Sequence, residues 1–564
     1  MTGQRPANAP DSPDLPDSPD SGVTPRAVQG HGGDLALDAL HAYGVDTLFT
    51  LSGGHIFPLY DAAVKRGDVR LVDVRHEQTA VFAAEGFAKL TRTPGAAALT
   101  AGPGVTNGVS AVASALCNGS PLVVLGGRSS DAGWGRGALQ EFDHVPVMTP
   151  LTKFATTVHD TASVATVTAH AVVAALTPHR GPVFVDYPLD VFFAPGSTTW
   201  TPPAVPNAAA PDSEQVRYLA HRLATATRPA IIVGTDVYWE GAWGPLAAAI
   251  EHLRVPVFAN GMGRGCVPAN HELAFSRTRS LLKREADVVV VFGTPLDFRL
   301  GFGDFGAADV VHVVEHVDRV CTHRPLAAAV VGDLAAVLTG CANHLGPRGD
   351  HEPWITRLRD VENAAAAAEA PLLAADAPFV KPARIYGELR AQLDRDAIVV
   401  CDGGDFVSYA GKYLDSYVPG HWLDAGPFGC LGTSMGYALA AGVAKPDKQC
   451  VVMLGDGAAG FTLGDLDTLV RHHIAAVIVI GNNGIWALER GPMRALYGYD
   501  VVAELRPGTR YDQVCTALGG GGELVTEPGG IRPALERAFA SGVPYVVNVL
   551  TDPDDMYPRA SSLG

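Results

Sequence analysis

One stretch, Gly455 to Glu489 (GDGAAGFTLGDLDTLVRHHIAAVIVIGNNGIWALE), constrains the fold more than any other. A short apolar run, Cys450 to Leu454, reads as a strand and ends in Gly455-Asp456-Gly457. A helix is predicted over about Gly464 to His473. A second apolar run, Ala475 to Ile480, is too short for a helix and rich in β-branched residues, so it reads as a buried parallel strand. It leads into Asn482-Asn483. In an open α/β sheet, ligands sit outside the carboxyl ends of the strands. Asp456 and Asn483 are therefore expected at one such edge. A carboxylate, an amide oxygen and a nearby backbone carbonyl are hard oxygen donors suited to Mg²⁺, which completes its shell with water and phosphate oxygens. Gly455 and Gly457 let the backbone approach a phosphate closely.

The rest of the chain repeats the same alternation of short apolar strands and helices, which argues for α/β domains with doubly wound parallel sheets. At 564 residues there is room for three such domains. Residues 1–29, rich in Pro, Asp and Ser, read as a disordered tail with no apolar segment of a signal peptide. A first domain spans 30–195, a second 212–345 and a third 381–551, with linkers over about 196–211 and 346–380. Residues 552–564 read as a polar tail or a lid. Five strands are expected in the first domain: Thr47 to Leu51, Arg70 to Val74, Ala96 to Thr100, Leu122 to Gly126 and Val183 to Asp186. In the second they are Ala230 to Val233, Val255 to Ala259, Asp287 to Phe292 and Asp309 to Val314. In the third they are Ala397 to Cys401, Cys450 to Leu454, Ala475 to Ile480 and Tyr545 to Leu550.

Several side chains fall at predicted strand ends. Ser52-Gly53-Gly54 should place His55 at the carboxyl edge of the first sheet. Glu77 follows the next strand, where a helix cap is the plain alternative to a functional role. The turn Ala101 to Gly108 could cradle a ligand or merely allow tight packing. In the second domain Gly234, the loop Asn260 to Gly265 with Arg264, and Gly293-Thr294 cluster at strand ends, which fits a nucleotide site.

Net charge is −17, which argues against a general nucleic-acid or anionic-membrane surface. No apolar run reaches the ~18 residues that a transmembrane helix needs. The eight Cys are scattered without a CxxC pair, so a reducing cytoplasm is the expected location.

Gly-Asp-Gly followed at this spacing by Asn-Asn resembles the diphosphate motif of thiamine-diphosphate enzymes. RHEQTAVFAAEGFAK, from Arg75 to Lys89, resembles the pyrimidine-domain motif of their acetolactate synthase-like family. The resemblance covers about residues 31–551. It implies a pyrimidine domain, a middle domain and a diphosphate domain in that order. It implies Asp456, Asn483 and the carbonyl of Ile485 as Mg²⁺ ligands. It implies that Glu77 donates a hydrogen bond to the aminopyrimidine ring and promotes its imino tautomer, which requires a carboxyl kept protonated. Gly137-Ala138-Leu139-Gln140-Glu141 is similar to the family's GxFQE segment, with Leu139 for the usual Phe; it implies an active-site amide at Gln140, with a surface loop as the alternative. The glycine pattern of Gly426 to Gly432 implies Leu431 as the apolar wedge that bends the cofactor, with a core Leu as the alternative. Pro295 to Gly301 resembles the middle-domain loop, so Asp297 and Arg299 could face its ligand: FAD, ADP with the CoA part of a substrate, or nothing.

In this family the cofactor lies between two subunits, which implies at least a homodimer, with a homotetramer the usual form. Gly484-Ile485-Trp486 and DAGPFGCLG look like 2-hydroxyacyl-CoA lyases and oxalyl-CoA decarboxylases. The expected activity is therefore a 2-hydroxyacyl-CoA lyase on an acyl-CoA substrate. Acetolactate synthase on a 2-keto acid is the alternative, and a non-catalytic nucleotide-binding subunit the third reading. For a lyase, Glu489 would exchange the proton of the substrate's 2-hydroxyl. A surface Glu paired with Arg490 or Arg494 is the alternative.

Overall fold

The computed structural model describes residues 24–557. Three six-stranded sheets dominate, and every ladder in them is parallel. The first runs Arg70–Asp73, Thr47–Thr50, Gly95–Leu99, Leu122–Arg128, Pro182–Pro188, Phe154–Thr157 across the sheet. The third runs Trp422–Asp424, Ile398–Asp402, Cys450–Gly455, Ala476–Asn482, Tyr545–Leu550, Gly521–Val525. By chain order within each domain, both read 2-1-3-4-6-5. The middle sheet runs Ala274–Phe275, Val257–Ala259, Pro229–Val233, Val288–Phe292, Asp309–Val314, Ala328–Val331, which is 3-2-1-4-5-6, the order of doubly wound dinucleotide-binding folds.

Five strands of these three sheets escape the sequence reading: Phe154–Thr157, Ala274–Phe275, Ala328–Val331, Trp422–Asp424 and Gly521–Val525. Each of them is a sheet edge. Inner parallel strands are covered on both faces and so read as continuous apolar runs, whereas an edge strand is short and carries no such run.

Three boundaries also differ from expectation. Arg26–His31 is a strand, paired antiparallel with Pro195–Trp200, so the expected tail ends earlier and the first linker starts later. Residues 1–23 lie outside the described residues. The second linker contains a long helix, Glu352–Leu373. Its Ala-rich sequence is a strong helix former, and Trp354, Ile355 and Leu358 anchor it in the core. The helix expected over 464–473 is shorter, Leu466–Arg471, with one separate turn at Asp456–Ala459.

The first and third domains meet along two helices, Glu77–Thr91 and Ser434–Ala444. Small residues let them close: a Cβ at Gly436 would lie 2.7 Å from Phe82 Cβ, and one at Gly86 2.8 Å from the Tyr437 ring. The interface buries an ion pair, Lys89 Nζ to Glu85 at 2.9 Å. Tyr437 Oη, Asn118 Nδ2 and Ser120 Oγ all donate to Glu85, at 2.8, 2.8 and 3.0 Å.

Candidate active site

The register of the third sheet pairs Gly455 with Gly481, so two adjacent strands end level with one another. Asp456 and Asn483 lie just beyond those ends. On the other flank, Ile398–Asp402 ends beside Leu454. The chain reverses direction across the sheet between these strands, which makes this the switch-point crevice.

Asp456 is buried and its Oδ2 accepts the Gly484 N–H at 2.8 Å. Burial pushes its carboxyl up to about 6. Asn483 Oδ1 accepts the Ile485 N–H at 3.2 Å. Gly484, at φ 69°, turns the chain there. That turn is pinned by Trp486 N–H to Ala503 O and Leu505 N–H to Gly484 O, both 2.8 Å. Asp456, Asn483 and Ile485 line one cavity and offer a carboxylate, a carboxamide and a main-chain carbonyl, hard donors of a kind that suits Mg²⁺. A Cβ at Gly455 would meet nothing nearer than Phe406 at 3.8 Å, so this glycine leaves space above the edge. At Gly457 a Cβ would lie 2.5 Å from the Trp486 ring, so only a bare backbone fits there. The residues present fit a metal-bridged diphosphate.

A cavity of about 800 Å³ opens over this edge and reaches the middle domain. Asp456, Asn483, Ile485, Leu431 and Glu489 line one side, Arg264, Arg279 and Arg299 the other. Leu431 is held by its own carbonyl, which accepts Gln78 Nε2–H at 3.1 Å. Behind it, buried Asp402 accepts N–H groups of Gly432 and Ser434 at 3.1 and 3.0 Å, and burial raises its carboxyl to about 6. Asp402 closes a strand the sequence analysis identified, but a lone Asp-Gly-Gly turn carries no signal of that role. Arg264 stacks on Trp422, 4.4 Å from the ring centroid, and donates to Gly411 O at 2.8 Å. Arg279, which the sequence reading missed, has its pKa lowered by burial and then by the neighbouring Arg264 and Arg299 guanidiniums. It sits in a polar helix, Arg279–Glu285, with no motif to mark it.

Not every expected residue reaches this cavity. Asp297 is paired with Arg299 at 2.7 Å and caps its N–H, behind the lining. Gly234 is a packing glycine, because a Cβ there would lie 2.2 Å from Thr294 Cβ. Glu489, by contrast, does line the cavity, exposed at its rim, and Arg490 and Arg494 turn to Asp500 rather than to it. Asp405 Oδ2 accepts the Tyr557 N–H at 3.1 Å, and Lys381 holds Asp552 and Asp555 at 2.9 and 3.3 Å. Residues 552–557 are thereby fastened beside the cavity, while 558–564 lie outside the described residues.

Glu77, His55 and Gln140 are not on this cavity's lining; they share the carboxyl edge of the first sheet. Glu77 opens its helix and its Oε2 accepts Asn107 Nδ2–H at 3.0 Å. His55 Nδ1 lies 3.3 Å from Thr100 Oγ1, and burial followed by the nearby His144 lowers its pKa. Among the described residues no helix is long and apolar enough to cross a membrane. All eight cysteines are free.

Three family descriptions match this layout: "Thiamine pyrophosphate enzyme, N-terminal TPP binding domain" over residues 30–147, "central domain" over 216–340 and "C-terminal TPP binding domain" over 402–549. The chain is 53% identical to "Acetolactate synthase large subunit IlvG" of Mycobacterium tuberculosis over 94% of its length and 98% of that protein. It is 33% identical to "2-hydroxyacyl-CoA lyase 2" of Caenorhabditis elegans, over 90% of this chain and 87% of that protein. The corresponding human protein of that name is 32% identical, over 92% and 90%. The matched domains follow the three sheets in order, and the chain belongs to the acetolactate synthase-like family of thiamine-diphosphate enzymes.

Proposed function

We propose that this enzyme is an acetolactate synthase, which decarboxylates a 2-oxo acid and joins the resulting two-carbon unit to a second 2-oxo acid. The observation that carries this reading is the set of three arginines, Arg264, Arg279 and Arg299, that lines the same cavity as Asp456 and Asn483. It calls for an anionic substrate, and the higher identity to an acetolactate synthase favours a carboxylate over an acyl-CoA. Asp456, Asn483 and the Ile485 carbonyl would hold Mg²⁺ and through it the cofactor's diphosphate. Thiamine diphosphate, when bound, supplies the electron sink that the carbon–carbon chemistry requires. Leu431 supports the bend of the cofactor, and Arg299, fixed by Asp297, orients a carboxylate. Glu77 handles the proton at the aminopyrimidine. Because Glu77, Gln140 and His55 lie off the cavity of their own chain, the reading includes a homodimer in which they face the diphosphate edge of a second copy.

A lyase reading retains one supporting observation: Glu489 reaches the cavity with neither neighbouring arginine paired to it. The deciding experiment is turnover of pyruvate against turnover of 2-hydroxyacyl-CoA esters with saturating thiamine diphosphate and Mg²⁺. Acetolactate formation, without cleavage of the esters, is expected. Ester cleavage without acetolactate would reverse the assignment. A flavin spectrum in the purified protein would place FAD in the middle domain; ADP or CoA binding there is tested by calorimetry.

A further inference from the structure

A wholly buried polar pair, His144 and Asp186, sits under the carboxyl edge of the first sheet. His144 Nε2 accepts the Gly102 N–H at 2.9 Å, so the ring proton is on Nδ1 and is donated to Asp186 Oδ2 at 3.0 Å. Phe142 and Phe184 flank the ring, with centroids at 5.5 and 6.2 Å. Gly102 caps the short helix Pro103–Asn107 with φ 60° and ψ −114°, a conformation that favours glycine. A Cβ there would lie 2.9 Å from Gln140 Cβ, and Gln140 itself sits at φ 60°. At the other end of that single turn, Asn107 holds Glu77. One anchored turn therefore touches both Gln140 and Glu77.

Desolvating a carboxylate and an imidazole contributes little net stability compared with apolar packing of the same volume. The pair has a geometric use instead. We propose that His144 and Asp186 are positioning residues: they fix the Gly102–Asn107 turn and so set Gln140 and Glu77 against the reacting end of thiamine diphosphate. This rests on the reading that those two residues face the cofactor.

The test is a double-mutant cycle in the full-length enzyme. His144→Phe keeps the ring volume but loses both hydrogen bonds. It is expected to lower kcat about 10- to 100-fold, the scale of a small misplacement of reacting groups, while the thiamine-diphosphate Kd from tryptophan quenching moves less than about twofold. His144→Gln, which can still accept and donate, should recover part of that loss. Combining His144→Phe with Gln140→Ala should cost little more than the worse single change. Full activity in His144→Phe, or additive losses, would overturn the positioning role. Full activity in Gln140→Ala would instead sink the Gln140 assignment, and the cycle is then read against Glu77→Gln. Independently of turnover, long-range ¹H–¹⁵N spectra of the cofactor-free wild type should show an Nδ1-protonated ring that disappears in both His144 variants. An Nε2-protonated ring would refute the geometry.

Discussion

Two residues carry the sharpest chemical expectations. Glu77→Gln removes the carboxyl group but leaves an acceptor for Asn107. Activity should fall 10²–10⁴-fold, the usual range for one acid–base group. Titration of thiamine diphosphate against fluorescence should give a near-normal Kd; turnover close to wild type with the cofactor saturating would remove Glu77 from the mechanism. Asp456 binds a metal only as carboxylate, and burial raises its pKa to about 6. A raised carboxyl pKa means that the cofactor-free fold is favoured by this group below its unfolded value of about 3.9 and loses that contribution as pH rises through about 6. Metal binding runs the other way. The Mg²⁺ concentration for half-saturation should climb up to tenfold per pH unit below about 6 and level off above it. Asp456→Asn should flatten that dependence and raise half-saturation throughout. A pH-independent wild-type value would place the metal elsewhere.

At the level of elements, the helix Glu77–Thr91 bears Glu77 at its first residue and a buried ion pair two turns on. Lys89→Ala would remove the ion-pair partner of Glu85 and leave it only the hydrogen bonds of Tyr437, Asn118 and Ser120, at a cost of up to about 3–5 kcal/mol. The double change Lys89→Met with Glu85→Gln removes both charges and should lie closer to wild type in denaturant midpoint. If the single variant unfolds no earlier than the double, the pair is not load-sharing at this interface. The apolar periodicity of both helices is legible in the sequence. That Glu85 and Lys89 face inward is not, because an Ala-rich helix with an i, i+4 Glu–Lys pair reads equally well as a solvated face.

For the whole molecule, the contact between first and middle domains centres on His179. It lies 3.3 Å from Asp236 and 3.0 Å from Glu315, with Arg180 and Arg319 also nearby. Burial alone would lower its pKa, but Asp236 and Glu315 outweigh this and raise it to about 9. A raised pKa gives stability that is full below about 6.5 and is lost as pH climbs through about 9. Glu240, which burial pushes up to about 7, adds a second loss at lower pH. Melting of the cofactor-free protein should therefore weaken in two steps, one between about pH 4.5 and 7 from Glu240 and one between about pH 6.5 and 9 from His179. His179→Gln should abolish only the alkaline step. Survival of that step in the variant would assign it to another group.

The sequence by itself determined the class of fold, the order of domains and which residues stand at the carboxyl edge of the third sheet. These follow from local physics: doubly covered parallel strands must be continuously apolar, and glycines and hard oxygen donors must stand where a strand ends at a switch point. The place of Asp456 and Asn483 at a strand end was legible for that reason, whereas Ile485 and Leu431 were offered only by the family resemblance. Five of the six edge strands of the three large sheets were not, since half-exposed strands need no apolar run. Arg279 and the His144–Asp186 pair were also hidden. A single Arg, His or Asp carries no pattern, and its meaning arises only when residues remote in the chain enclose it. Likewise, sequence could offer Gly234 and Asp297 as ligand contacts. Tertiary packing decided that one is a spacer against Thr294 and the other a brace for Arg299.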